Sequence, residues 1–289
     1  MQRKWMVLLL AFLFLGLNGC MYWDFEFQFT TGTYSLTTST LPTVVNGTLT
    51  IGSNDYNNYQ LFHSSTYDLT DVSAYNDVLL ETRDKIRRAN VQIVTTIYRT
   101  SPFFPYSTIL DSSMAGSGVI YRQDESYYYI LTNEHVINNK GKTASYEVKT
   151  FGSDTSLIAE LLAYDENLDL AVLRIAKTTT TDIHLIDVTS RVFKKFNAGE
   201  LVLAVGNPLS VINNVTFGEF LSMETISNAT FKVIYHNATI HEGSSGGALV
   251  DIDGNFLGIN TWGSSQTDEQ AFAVPNYIVY MFLINHDLL

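Results

Sequence analysis

From residue 91 onward the chain alternates between short apolar runs and clusters of turn residues. Six runs cover 91–98, 117–121, 127–133, 146–151, 156–164 and 170–175. Six more cover 200–205, 215–223, 230–236, 247–251, 255–262 and 270–274. They are rich in Val, Ile, Tyr, Phe and Thr, which suit a pleated, half-buried surface, and Gly, Asn, Asp and Ser punctuate them. No long helical pattern stands between consecutive runs, so barrels or a sandwich are predicted rather than alternating βαβ units. Helical spacing occurs twice. Asn76 or Asp77 is placed to cap a helix to about Ala89, in which Glu81 and Lys85 stand four apart in the favourable order and Leu79 and Ile86 share a face. Tyr277 to Ile284 reads as a closing helix, and no internal repeat is visible.

The first twenty residues have a different character. Arg3 and Lys4 precede an apolar run of 13 from Trp5 to Leu17. A bilayer span needs about 20 apolar residues, so this is the length of a signal-peptide apolar region. The run ends in Leu17-Asn18-Gly19-Cys20, which resembles a bacterial lipoprotein box, with Cys20 as the first mature residue. A diacylglyceryl thioether on Cys20 would supply two chains, enough for stable anchoring. Residues 1–19 are therefore expected to be a lipoprotein signal peptide, and the mature protein to be anchored outside the cytoplasmic membrane of a bacterium. Residues 20–75 follow as a spacer dense in Thr, Ser, Tyr and Asn, read either as a polar tether or as a small β-element.

Composition narrows the function classes. The 289 residues carry 17 Lys and Arg against 29 Asp and Glu, a net charge of −12. Such a chain is a poor partner for nucleic acid, where phosphates require clustered cations. Cys20 is its one cysteine, so neither an intramolecular disulfide nor a Cys-rich zinc site can form. No cofactor or metal is expected.

Three islands carry candidate chemistry. They are Thr132-Asn133-Glu134-His135-Val136, then Asp165-Glu166-Asn167-Leu168-Asp169-Leu170, then His241-Glu242-Gly243-Ser244-Ser245-Gly246-Gly247. Singly, each reads as a strand end, a strand entry and a loop. Jointly they supply a nucleophile, a base and an acid to orient the base. Gly243 allows a backbone turn that aims its N–H and that of Ser245 at one spot, where an oxyanion could sit, and Gly246 and Gly247 allow close packing behind it.

These islands resemble the trypsin-like (chymotrypsin-fold) serine proteases, and most the bacterial Deg/HtrA branch. Thr-Asn-Glu-His-Val, Leu168-Asp169-Leu170-Ala171-Val172-Leu173 and Gly243-Ser244-Ser245-Gly246-Gly247-Ala248-Leu249 match that branch's three motifs, with Ser244 where Asn is usual. Gly206-Asn207-Pro208 matches a turn of the second barrel. The resemblance covers about 76–289, and implies an all-β protease domain of two six-stranded antiparallel β-barrels with a C-terminal helix. It implies His135 as base, Asp169 as orienting acid, Ser245 as nucleophile, and Gly243 and Ser245 as the oxyanion hole. Asp165, four before Asp169, is the lesser candidate for the acid. Thr261-Trp262-Gly263 resembles the strand that pairs with substrate, and Thr239 and Ile240 fall where the side-chain pocket has its base. Only 44 residues follow Ser245, so a protease domain without a PDZ domain is expected. Protein or peptide substrates are implied, with a homotrimer through the aromatics Tyr22, Trp23 and Phe25 to Phe29. The competing function is a non-catalytic surface binding or adhesion lipoprotein that retains the protease fold.

Overall fold

A computed structural model of the chain describes residues 55–101, 107–178, 182–208, 212–227, 229–263 and 270–289. The chain divides after Thr33, and the unit Met1–Thr33 lies wholly outside the described residues. So do the signal peptide, Cys20, the N-terminal aromatics and most of the spacer.

The described chain opens with α1 (Asp55–Asn58), β1 (Gln60–Leu61), a 3-10 turn (Ser65–Asp68) and α2 (Val72–Ala89). The first barrel follows: β2 (Asn90–Thr100), β3 (Thr108–Gln123), β4 (Tyr127–Thr132), the short α3 (Glu134–Ile137), β5 (Thr143–Thr150), β6 (Ser156–Asp165) and β7 (Leu170–Ala176). After β8 (Lys194–Lys195), the second barrel comprises β9 (Leu201–Gly206), β10 (Asn214–Glu224), β11 (Val233–His236), β12 (Ala248–Asp251), β13 (Phe256–Gly263) and β14 (Ala271–Pro275), closed off by α4 (Asn276–Asn285). The barrels close in the orders β2-β3-β4-β7-β6-β5 and β9-β10-β11-β14-β13-β12, all pairs antiparallel. The connectivity is the same in both, a repeat of topology with no counterpart in the sequence.

The strands that read as unbroken apolar runs are buried on both faces. In β7, Ala171 and Leu173 fill the first barrel with Ile93, Ile120 and Ile130, while Leu170 and Val172 face the other way. In β9, Val202 and Ala204 fill the second barrel with Phe220, Ile234 and Leu249, while Leu203 and Val205 join Leu170, Val172 and Leu131 between the barrels. Period-2 alternation thus sorts side chains between two apolar environments, and no polar face is left to mark it.

The folded body reaches back beyond the expected boundary at residue 76, which falls inside α2. The cap of α2 is Asp71, whose side chain accepts from Ser73 N at 2.9 Å, and not Asn76 or Asp77. Residues 55–71 pack onto the second barrel instead of forming a free tether. Tyr56 Oη accepts from Phe196 N and Tyr67 Oη from Leu201 N, each at 2.9 Å, and Asp253 takes the hydroxyls of Ser64 and Thr66. Burial pushes the Tyr56 phenol up to about 12.

Beneath this segment lies a buried charge cluster. Arg191 donates to Glu200 Oε2 at 2.9 Å and to Asp251 Oδ2 at 3.1 Å. Its guanidinium lies 4.3 Å from the ring centre of Phe62. Burial pushes both carboxyls up and Arg191 opposes the shift. Arg191→Ala would leave two buried carboxylates without their cation, and a loss of about 3–5 kcal/mol is expected. Urea unfolding measures it, and a loss below about 1 kcal/mol, the size of an exposed pair, would contradict the account.

Candidate active site

The site lies where β4, β7, β13 and the loop before β12 converge. His135 is the second residue of α3, a helix too short to stand by its own hydrogen bonds. Asn133 occupies the cap position, yet its side chain makes no cap bond. The carboxylate of Asp169 takes that place by accepting from His135 N at 3.0 Å. It also faces the ring, with His135 Nδ1 2.9 Å from Oδ2 and 3.0 Å from Oδ1. Asn133 Nδ2 in turn donates to Asp169 O at 2.8 Å. Asp169 adopts φ +52°, the left-handed region that non-glycine residues seldom occupy. From the second barrel, Thr261 Oγ1 donates to Asp169 Oδ2. Asp169 is buried, whereas the His135 side chain is 44% exposed and open to a substrate.

Asp165 is held elsewhere. Its Oδ1 accepts from Asn167 N at 2.8 Å and Leu168 N at 3.1 Å, closing the turn between β6 and β7.

The Ser245 loop is two successive turns. Ser244 N donates to His241 O at 2.9 Å, and Gly247 N to Ser244 O at 3.1 Å. The third residues of these turns are Gly243, φ +96°, and Gly246, φ +90°, as type II turns require. Space also excludes a side chain, because a Cβ at Gly246 would lie 2.0 Å from Ser117 O. The loop is stitched to both barrels: Ser117 N donates to Ser245 O at 2.8 Å and Gly246 N to Asn260 O at 2.9 Å. Among the described residues, the N–H groups of Gly243 and Ser245 have no acceptor. Ser245 Oγ donates to Thr261 O at 3.1 Å, and no hydrogen bond joins it to the His135 ring.

The other candidates lie around this loop. Thr239 O accepts from Thr216 Oγ1 at 2.9 Å. Ile240 lies against Gly263, where an added Cβ would meet its Cγ1 at 3.5 Å. Thr261 is buried, Trp262 packs at the edge of the inter-barrel core, and Gly263 is exposed. His236 is fully buried in the second barrel, where loss of hydration pushes its pKa down to about 4, partly offset by the neighbouring Asn260. His241 and Glu242 are exposed, and no group of acidic, His or Cys side chains among the described residues could hold a metal ion. Two polar residues singled out by no catalytic argument, Ser117 and Asn207, meet behind the loop. A serine between glycines in Gly116-Ser117-Gly118 was the available signal, since flanking glycines mark close backbone approach.

Two closed barrels with His, Asp and Ser at their junction define a trypsin-like fold. The family described as "Trypsin-like peptidase domain" matches residues 116–259. The Serine protease Do-like HtrA of Bacillus subtilis is 33% identical over 175 residues, covering 57% of this chain and 37% of that protein. Serine protease HTRA1 of Xenopus tropicalis is 32% identical over 207 residues, covering 69% of this chain and 41% of that protein. The crystal structure of the serine endoprotease from Yersinia pestis superposes with a TM-score of 0.54 at 29% identity, over 72% of this chain and 66% of that one. Residues 116–259 thus match a trypsin-like peptidase domain, and the chain is similar to the HtrA-type serine proteases, while it spans about two fifths of the length of the curated relatives it matches.

Proposed function

We propose that this chain is a serine endopeptidase in which Ser245 is the nucleophile, His135 the general base and Asp169 the acid that orients it. The observation that carries this reading is the Asp169 carboxylate, which faces His135 Nδ1 while the N–H groups of Gly243 and Ser245 stay free of acceptors. With the Nδ1 proton directed at the carboxylate, Nε2 carries the lone pair. The Ser245 hydroxyl leaves the Thr261 carbonyl and turns to the ring. Its oxygen bonds to the substrate carbonyl carbon as its proton passes to Nε2. The carbonyl oxygen takes the negative charge and is held by the two free N–H groups, each worth roughly 3–4 kcal/mol. Collapse breaks the C–N bond, and the proton on Nε2 goes to the leaving amine. Water then attacks the acyl-enzyme by the same route, restoring Ser245 and releasing the acid. Similarity to proteins named serine proteases, including a serine endoprotease of the same fold, supports the assignment. Ser245→Ala and His135→Ala should each lower casein turnover by roughly 10⁴–10⁶ without loss of folding. A fluorophosphonate probe should label the parent chain and not Ser245→Ala. Labelling that survives in Ser245→Ala would remove the assignment, and an unlabelled, inactive parent would favour the binding-protein alternative.

The specificity pocket is formed by Thr239, Ile240 and the strand Thr261 to Gly263. Neither Thr239 nor Ile240 offers a charge, and Ile240 narrows the space beside Gly263. A Lys or Arg side chain would enter without a counter-ion, at high desolvation cost. Exposed Glu242 at the rim disfavours acidic ones. Cleavage is expected after Ala, Val, Ile or Thr, with shallow discrimination because one methylene is worth about 1–3 kcal/mol. A peptide-library profile dominated by Arg, Lys, Asp or Glu would refute the pocket while leaving the nucleophile standing.

The same reading places the enzyme outside the cytoplasmic membrane, tethered by a diacylated Cys20. The motive is the position of the sole cysteine at the end of the N-terminal apolar run. Cys20→Ser is expected to move the protein to the soluble fraction or leave it unprocessed. Mass spectrometry that finds an unmodified Cys20, or another mature N-terminus, would rule the anchor out.

A further inference from the structure

We infer that Ser117 and Asn207 are positioning residues that fix the orientation of the anion-binding loop, an inference that rests on the peptidase reading above. Both side chains are buried, Ser117 in β3 of the first barrel and Asn207 directly after β9 of the second. Ser117 Oγ lies 2.7 Å from Gly243 O, 2.8 Å from Asn207 N and 3.1 Å from Asn207 Nδ2. A hydroxyl has one proton and two lone pairs. The two Asn207 donors occupy the lone pairs, so the proton is directed at the Gly243 carbonyl. Asn207 is itself saturated. Its other Nδ2 proton goes to Val91 O at 2.8 Å, and its Oδ1 accepts from Asn213 N at 2.8 Å and Asn90 Nδ2 at 3.1 Å. Turning the amide over would oppose donor to donor and acceptor to acceptor in a buried setting, where an unmade hydrogen bond is most costly.

The consequence falls on the loop. The peptide between Gly243 and Ser244 is gripped at both ends, its carbonyl by Ser117 Oγ and its N–H by His241 O. The peptide between Ser245 and Gly246 is gripped likewise, its carbonyl by Ser117 N and its N–H by Asn260 O. One residue of the first barrel thus holds the carbonyls on both sides of Ser244. Gly243 alone gives the loop no such preference, since glycine tolerates either sign of φ. Without the Ser117 hydroxyl, the Gly243–Ser244 peptide keeps only the His241 contact on its N–H, nothing fixes its carbonyl, and the two unpartnered N–H groups lose their common aim.

Ser117→Ala tests this. It should lower kcat on a peptide substrate about ten- to a hundredfold, less than outright loss of a hole donor, with KM unchanged within about twofold. It should weaken a peptide aldehyde, whose hemiacetal oxygen fills the same hole, by a similar factor, and leave the matching peptide alcohol's affinity unchanged. Its crystal structure should show the Gly243–Ser244 peptide turned. Unchanged kcat and aldehyde affinity, or a peptide still in place, would overturn the inference. Should Ser117→Ala not fold, the near-isosteric Ser117→Cys, a weaker donor, takes the same measurements with smaller losses expected. The crystallographic arm decides even if the parent chain hydrolyses no peptide. In that case the peptidase reading falls, and the loop's dependence on Ser117 is judged on its own.

Discussion

The carboxylate of Asp169 is the interaction on which the site depends. It accepts from the backbone and ring of His135 in the first barrel and from the hydroxyl of Thr261 in the second. To do so the residue adopts a left-handed backbone, which costs a non-glycine residue about 1–2 kcal/mol. That strain is held by exchange. Asn133 gives up the capping of α3 and donates to the Asp169 carbonyl, while Asp169 caps α3 in its place. The helix α3, His135 and Asp169 are therefore one unit, and none reaches its position without the others.

That unit needs a rigid frame on both sides. The frame follows from strands whose alternate residues enter different apolar regions. Leu203 and Val205 meet Leu170 and Val172 between the barrels, while Val202 and Ala204 fill one barrel and Ala171 and Leu173 the other. Shifting β7 by one residue would exchange two packed sets, which fixes register strongly. Thr261 reaches Asp169, and Ser117 reaches the Ser245 loop, because this shared layer leaves little freedom between the barrels.

Much of this was legible in the sequence. The twelve apolar runs correspond to the twelve barrel strands, and two of the three glycines of the third island, Gly243 and Gly246, stand where φ is positive. The start of the folded body was not legible. Tyr56, Tyr59 and Tyr67 stand among Asn, Ser and Thr, and that composition reads as a tether. Tyr56 and Tyr59 contribute rings packed onto the core, and the phenol oxygens of Tyr56 and Tyr67 accept the backbone N–H groups of Phe196 and Leu201. Composition cannot distinguish a tyrosine that docks from one that is solvated. Ser117 and Asn207 were hidden for a related reason, since their significance lies in which atoms fill their hydrogen-bonding sites 90 residues apart.

The chemistry of the loop also answers the chain's net charge. At −12 the protein repels anions at long range, and Glu242, three residues before Ser245, is exposed. Glu134, next to His135, is held above the usual carboxylate range by burial and by the Asp169 charge. A developing oxyanion in these surroundings has no Lys or Arg among the residues of the loop to meet it. On the proposed mechanism it would meet two backbone dipoles, flanked by peptides that are already hydrogen-bonded at both ends. Such donors do not titrate, need no counter-ion in the resting state and undergo little reorganisation as charge appears. Their strength would depend on immobility, to which the opposite barrel contributes through the bonds of Ser117 to the Gly243 and Ser245 carbonyls.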